Sequence, residues 1–139
     1  MPKREAETGT DAAAPYLWRA LRLRCPHCGS GGLFRKWVVM RDSCPRCGLL
    51  LDRGERDYFI GAYTLNFIGA EVAIVLLALA VVLSTWPDVP WDRVQWGLVA
   101  FIIPFPVLTY PFSKTLWLAI DLGFRPPTLG DFAGHGENE

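Results

Sequence analysis

Two long apolar runs dominate the chain. Between Tyr58 and Pro87, 30 residues hold one charged side chain, Glu71, and the 20 residues from Val94 to Ser113 hold none. Each is long enough to cross a bilayer as a helix, which takes roughly 20 residues for about 30 Å of hydrocarbon. The pattern predicts one transmembrane helix over about 58–83 and a second over about 96–122, joined by the stiff turn Trp86-Pro87-Asp88-Val89-Pro90-Trp91. Tyr58, Phe59 and Tyr63 at one end and Trp86 at the other match the aromatic belt of a membrane interface. Gly61, Ala62, Gly69, Ala70 and Ala73 form a small-residue stripe on the first helix, where another helix can approach closely. Pro104, Pro106 and Pro111 remove backbone donors from the second. Lipid cannot replace those donors, so a kink or a local unwinding held by a packing partner is predicted.

Upstream of these runs the pattern changes. Residues 1–14 are polar and alanine-rich without apolar periodicity and read as a disordered tail. No signal peptide is expected, because the long apolar stretch begins only near residue 58. Tyr16 to Arg24 mixes aromatic and leucine positions with three arginines, which suits a helix in the headgroup region or one docked on its own domain. Leu33 to Met40 is β-prone, rich in branched and aromatic residues, and Leu49-Leu50-Leu51 offers a second short strand. Residues 15–57 thus read as an amphipathic segment followed by a two- or three-stranded ribbon. Residues 124–139 read as a short acidic tail behind the helix-stopping Pro126-Pro127.

Charge gives the pattern a direction. The formal net charge is zero, yet 11 of the 14 Lys and Arg residues precede Asp57. By the positive-inside rule the amino-terminal part stays in the cytoplasm, the Ser84–Arg93 connection faces outward, and Lys114 and Arg125 return the carboxyl end to the cytoplasm. Polar residues inside the predicted spans call for partners. Glu71, near mid-membrane, is expected level with Thr109 and Tyr110 in a hairpin centred near Pro90, bonded to a hydroxyl there or paired with Lys114. The other reading of Glu71 is a contact to a larger membrane complex or a relay of protons or metal ions. Asn66 is expected to bond across the helices, and Asp121 to meet Lys114 or Arg125.

Chemistry is concentrated in four cysteines. Cys25-Pro26-His27-Cys28-Gly29 recurs as Cys44-Pro45-Arg46-Cys47-Gly48, with 15 residues between the two pairs. This is the spacing of a closed four-thiolate zinc site. So small a ribbon needs a metal to hold it. Iron in a rubredoxin-like site is the first rival, since rubredoxin uses the same doubled knuckle. Thiol-redox or copper handling is the second. Free thiols also persist in the cytoplasm, where the charge rule places them. With four cysteines completing the tetrahedron, His27 is expected beside the site rather than as a ligand, and His135 carries no signal. From Arg19 to Asp57 nine basic and four acidic residues leave +5. Four thiolates on a divalent ion lower this by two, to +3, which anionic lipid headgroups account for at least as well as nucleic acid.

The segment Arg24-Cys25-Pro26-His27-Cys28-Gly29, then Gly32-Leu33-Phe34, Cys44-Pro45-Arg46-Cys47-Gly48-Leu49 and a pair of membrane helices resembles the bacterial family DUF983 over roughly Arg22 to Pro126. Many members carry Asp-Gly-Pro-Ala before the first helix, where this chain has Gly54-Glu55-Arg56-Asp57-Tyr58-Phe59-Ile60-Gly61-Ala62, the mark of a divergent branch. The resemblance implies a cysteine-bearing inner-membrane protein, in some bacteria encoded near haem-copper oxidase subunits and assembly factors. The expectation is therefore an α+β membrane protein. A cytoplasmic ribbon would be clamped by Zn2+ on Cys25, Cys28, Cys44 and Cys47 and followed by a two-helix transmembrane hairpin. Its partners would be the lipid bilayer and subunits of a larger membrane complex, of the respiratory kind that the resemblance implies. No catalytic set, nucleic-acid surface or small-molecule site is legible. The role expected is that of an accessory or assembly protein; the alternative is metal handling or thiol redox through the paired cysteines.

Overall fold

The computed structural model describes residues 9–133. The stretch before Gly9 and the residues after Ala133, His135 among them, lie outside the described residues. In chain order the elements are α1 (Gly9–Leu21), β1 (Phe34–Lys36), β2 (Val39–Met40), α2 (Ile60–Thr85), α3 (Trp91–Ile102), α4 (Pro104–Phe124) and a 3-10 turn over Leu129–Asp131. The result is a two-stranded antiparallel sheet, four helices and a four-cysteine cluster.

Helix α1 starts earlier than the pattern predicts. Residues 9–14, read as part of a disordered tail, are helical. The run Ala12-Ala13-Ala14 has the strongest helix propensity available and extends the helix upstream of Pro15. The β-prone run from Leu33 to Met40 is not one strand but a hairpin. Phe34 pairs with Met40 and Lys36 with Val39 across an irregular register, and the turn lies at Trp37-Val38. Leu49–Leu51 forms isolated bridges instead of a full strand, pairing Leu50 with Ser43 and Leu49 with Phe132.

Helix α2, of 26 residues, buries only Ala62 and Ala70 and is long and apolar enough to cross a membrane. The second apolar run is two helices, α3 and α4, bent by 40° at a break. Together they are long and apolar enough for one broken span or a re-entrant loop. Prolines explain the position of the break. Pro104 and Pro106 occupy the first turn of α4, where helical N–H groups have no intrahelical partner and their absence costs nothing. Pro111 lies inside α4 and leaves the Val107 carbonyl without its usual donor. The indole Nε1 of Trp37, from the hairpin turn, donates to that carbonyl at 3.0 Å. The packing partner demanded by the proline is thus the ribbon itself.

Helix α4 organises the fold, because α1 and α2 both pack along it. Thr115 Oγ1 donates to the Ala20 carbonyl at the end of α1, at 3.0 Å. On the ribbon side, Cys25, Leu33, Cys44, Leu49 and Leu51 form one buried cluster with Tyr58 and with Leu118 and Leu122 of α4. The ribbon therefore completes its core on the carboxyl half of α4. The segment after α4 also departs from a free tail: the Leu50 N–H donates to the Asp131 carbonyl at 2.7 Å and the Ala133 N–H to Gly48 O at 2.7 Å, adding a strand-like edge to the ribbon.

The close approach of α2 depends on one missing side chain. A Cβ on Gly61 would overlap the Trp117 indole of α4. Gly61→Ala is expected to cost about 1–3 kcal/mol as an overpacked contact, read as a lower unfolding temperature in detergent. Trp117→Leu in the same background should recover most of it; an unshifted Gly61→Ala would show that α2 and α4 are not in close contact there.

Candidate metal centre

Each cysteine pair sits on one tight turn. The Gly29 N–H donates to Cys25 O at 2.8 Å and the Gly48 N–H to Cys44 O at 3.0 Å. Gly29 and Gly48 have φ of 75° and 73°, the left-handed region that a Cβ disfavours, so the chain can reverse right behind the second sulfur. The two turns face each other. Cys25 Sγ is 3.9 Å from Cys47 Sγ and Cys28 Sγ is 3.6 Å from Cys44 Sγ, and all four sulfurs lie within 4.8 Å of one another.

These distances exclude disulfides, whose sulfurs are about 2.05 Å apart. They match the edge, about 3.8 Å, of a tetrahedron with metal–sulfur bonds of about 2.3 Å. The four cysteines can hold a metal ion. Tetrahedral sulfur suits zinc and iron alike, so the geometry selects the ligand set and not the element.

Electrostatics favour a cation at the centre. At Cys44, burial works to raise the thiol pKa but is outweighed by the Cys47 backbone N–H, the Ser30 hydroxyl and the Arg46 backbone N–H, which bring it down to about 6. Burial, together with charge on Cys44 and Cys47, pushes the Cys25 thiol well up. Burial and its sulfur neighbours push Cys47 up to about 11. One thiolate thus forms readily and opposes the others. A divalent ion removes that opposition and draws the remaining protons off.

Sequence reasoning missed two supporting residues. Ser30 Oγ lies 3.2 Å from the sulfurs of both Cys28 and Cys44, and so ties one knuckle to the other. A hydroxyl two residues beyond a knuckle was a signal available in the sequence. Arg19 of α1 donates through Nη1 to the carbonyls of Pro26 and His27, at 2.9 and 3.0 Å, and anchors the first knuckle to the helix. His27 stands beside the cluster, edge-on to Phe132 at 5.5 Å between ring centroids.

Of the polar residues of the helices, Asn66 and Asp121 meet expectation and Glu71 and Lys114 do not. Asn66 spans the helices, donating through Nδ2 to the Pro106 carbonyl at 3.1 Å and accepting at Oδ1 from Thr109 at 2.7 Å and Ser113 at 3.2 Å. The Glu71–Lys114 pair is not formed, nor is a Glu71 bond to the hydroxyls of Thr109 or Tyr110. Glu71 is exposed on α2. Lys114 is buried, with Nζ 4.6 Å from the ring centre of Phe59 and 4.8 Å from that of Tyr110. The cause is the face of the helix. Asn66 points at α4, and Glu71, five residues on, lies about 140° around α2 from it at 3.6 residues per turn, so it turns away from Thr109, Tyr110 and Lys114.

A buried ionic network lies on the ribbon side. Arg53 binds Asp131 in bidentate fashion at 3.1 and 3.2 Å, approaches Asp121 at 3.4 Å and donates to the Arg125 carbonyl at 2.9 Å. Asp121 also accepts from Tyr58 at 3.1 Å and from Arg125 at 2.7 Å. The side chains of Arg53 and Asp121 are 7% and 9% exposed. Burial works against the Asp131 charge, but the Thr128 N–H and hydroxyl together with Arg53 hold its carboxyl below the usual carboxylate range. Nothing in the local sequence around Arg53 announces this role.

No curated protein and no solved structure matches the chain. The sequence profile of DUF983, a protein of unknown function, matches residues 34–121. That span takes in the second cysteine pair, Arg53, Glu71, Asn66, Lys114 and Asp121, and with it most of the fold just described, so the chain belongs to the DUF983 family.

Proposed function

We propose that this protein is a non-enzymatic, membrane-anchored zinc-ribbon protein serving as an accessory subunit or assembly factor of a larger membrane complex. The observation that carries the reading is Glu71. It sits near the middle of α2, exposed, among exposed Phe67, Ile68, Val72 and Val75. An acid on the lipid-facing side of a span costs at least about 2.5 kcal/mol at the centre of a bilayer, and a basic or hydrogen-bonding side chain from another helix offsets that cost. The bacterial inner membrane, with both termini in the cytoplasm, is the location that the charge asymmetry supports. The ribbon then stands at the cytoplasmic face, and its zinc is structural.

In the test, tagged protein is extracted in mild detergent and its co-purifying subunits identified. Glu71→Ala is expected to lower their recovery by about three- to thirty-fold, the range of one interhelical polar contact, with metal content unchanged. Equal recovery with both proteins would count against the reading.

A second reading, metal transfer or thiol redox, draws on one feature: Cys28 and Cys47, one from each knuckle, are half-buried while Cys25 and Cys44 are buried. Rapid alkylation of Cys28 and Cys47 in the metal-loaded protein would favour it; resistance to alkylation with one tightly held ion would leave the structural role.

A further inference from the structure

We propose that the β1–β2 turn of the ribbon is a membrane wedge: Trp37, Val38 and Val39 enter the cytoplasmic leaflet beside α4, while Lys36 and Arg41 hold the phosphates of anionic phospholipids. The proposal rests on the membrane-spanning reading of α2 and of α3–α4 and adds a third point of insertion to it.

The turn has the wrong chemistry for water. Hairpin turns favour Gly, Asn, Asp and Pro, but Trp37, Val38 and Val39 stand here 49%, 42% and 45% exposed in sequence. Their neighbours Arg35, Lys36 and Arg41 are exposed as well, and only Arg35 has an acidic partner, Asp42 at 3.6 Å, among the described residues. An apolar tip ringed by cations is the arrangement that suits an anionic headgroup layer.

Depth follows from the contacts. Counting back from Thr85, about 30 Å of hydrocarbon uses about 20 residues of helix and ends near Tyr63 to Leu65. Tyr63 is level with Tyr110, and the Val107 carbonyl that receives the Trp37 indole lies about one turn further towards the outer end. Trp37 also stacks edge-on against Phe112, at 6.4 Å between centroids. Val38 borders a cleft of about 330 Å³ with Tyr63, Asn66, Pro106 and Val107. The tip therefore reaches the headgroup–acyl boundary, with the indole N–H already bonded. Beneath it a groove of about 390 Å³ opens between Leu23, Leu33, Phe34, Lys36 and Pro111, at the level where a headgroup and the start of its chains would lie.

The test uses the full chain in vesicles of equal parts phosphatidylcholine and phosphatidylglycerol, with a fluorescent non-natural amino acid at position 38, 75 or 46. Quenchers are nitroxides on shallow or deep acyl carbons and aqueous iodide. The probe at 38 is expected to be quenched by the shallow nitroxide and to be at least about threefold less accessible to iodide than the probe at 46, as for a shallowly inserted apolar group. A probe at 38 open to iodide, or shielded from both quenchers as under a protein partner, overturns the wedge when the probe at 75 is quenched by lipid. A probe at 75 that no lipid nitroxide quenches overturns the spanning reading itself. For the headgroup part, Lys36→Gln with Arg41→Gln should lower phosphatidylglycerol retained in native mass spectrometry by about tenfold or more; unchanged retention overturns that part.

Discussion

Removing the metal from the four-cysteine site is expected to unfold the ribbon while α2, α3 and α4 stay helical. Apparent binding free energies of structural zinc sites run to about 10–16 kcal/mol at neutral pH, and in small domains that binding is the folding free energy. The apolar core of the ribbon is smaller in effect. Its fully buried leucines are Leu33, Leu49 and Leu51, each contributing about 1.5–3 kcal/mol on burial. Cys44→Ser should therefore abolish stoichiometric metal and open the knuckle-bearing segment to trypsin at Arg35, Lys36, Arg41 and Arg46, all exposed. Metal analysis and timed proteolysis read both effects. Metal-free protein with the protease resistance of the loaded form would show that α4, which supplies Leu118 and Leu122 to the same core, holds the ribbon unaided.

Arg53→Ala is expected to cost about 3–5 kcal/mol, the penalty for breaking a buried ion pair and leaving its carboxylates unpaired. Asp131 would lose its bidentate partner and Asp121 would keep only Tyr58 and the half-exposed Arg125. Because Arg53 touches both acids, Asp121→Asn in the Arg53→Ala background should recover part of the loss, as coupled sites do not add. Denaturant unfolding in detergent measures both. Arg53 also has φ of 53°, so Arg53→Gly removes the same contacts while relieving the backbone and should be less damaging than the alanine variant. An Arg53→Ala protein within about 0.5 kcal/mol of the parent, the range of an ordinary surface substitution, would show that the network adds nothing beyond its own desolvation.

Much of the site was legible because its determinants are local. A cysteine, a proline directly after it and a glycine behind the second sulfur dictate the turn wherever the chain places it, so the ligand set followed from spacing. Asn66 was legible for a similar reason, since an amide inside an apolar run has few ways to be satisfied. Glu71 was not. Its depth could be counted along one helix, but its neighbour depended on which face of α2 meets α4, and a nearly all-apolar helix carries no periodicity that marks that face. Arg53 and Asp131 lie 78 residues apart, and no periodicity links an arginine beside a ribbon to an acid in a tail.

The sequence alone determined the class of each part: four thiolates at zinc-site spacing, two apolar runs of membrane length, and cations gathered before the first of them. These are properties of composition and short-range geometry, which survive any arrangement of the parts. Only the tertiary structure decided that the ribbon closes its core on α4, that Trp37 replaces the donor lost at Pro111, that the tail returns to the ribbon edge, and that Glu71 faces outward while Lys114 lies between aromatic rings. Each of those depends on distances between segments far apart in the chain, and such distances are set by packing, which a linear pattern does not contain.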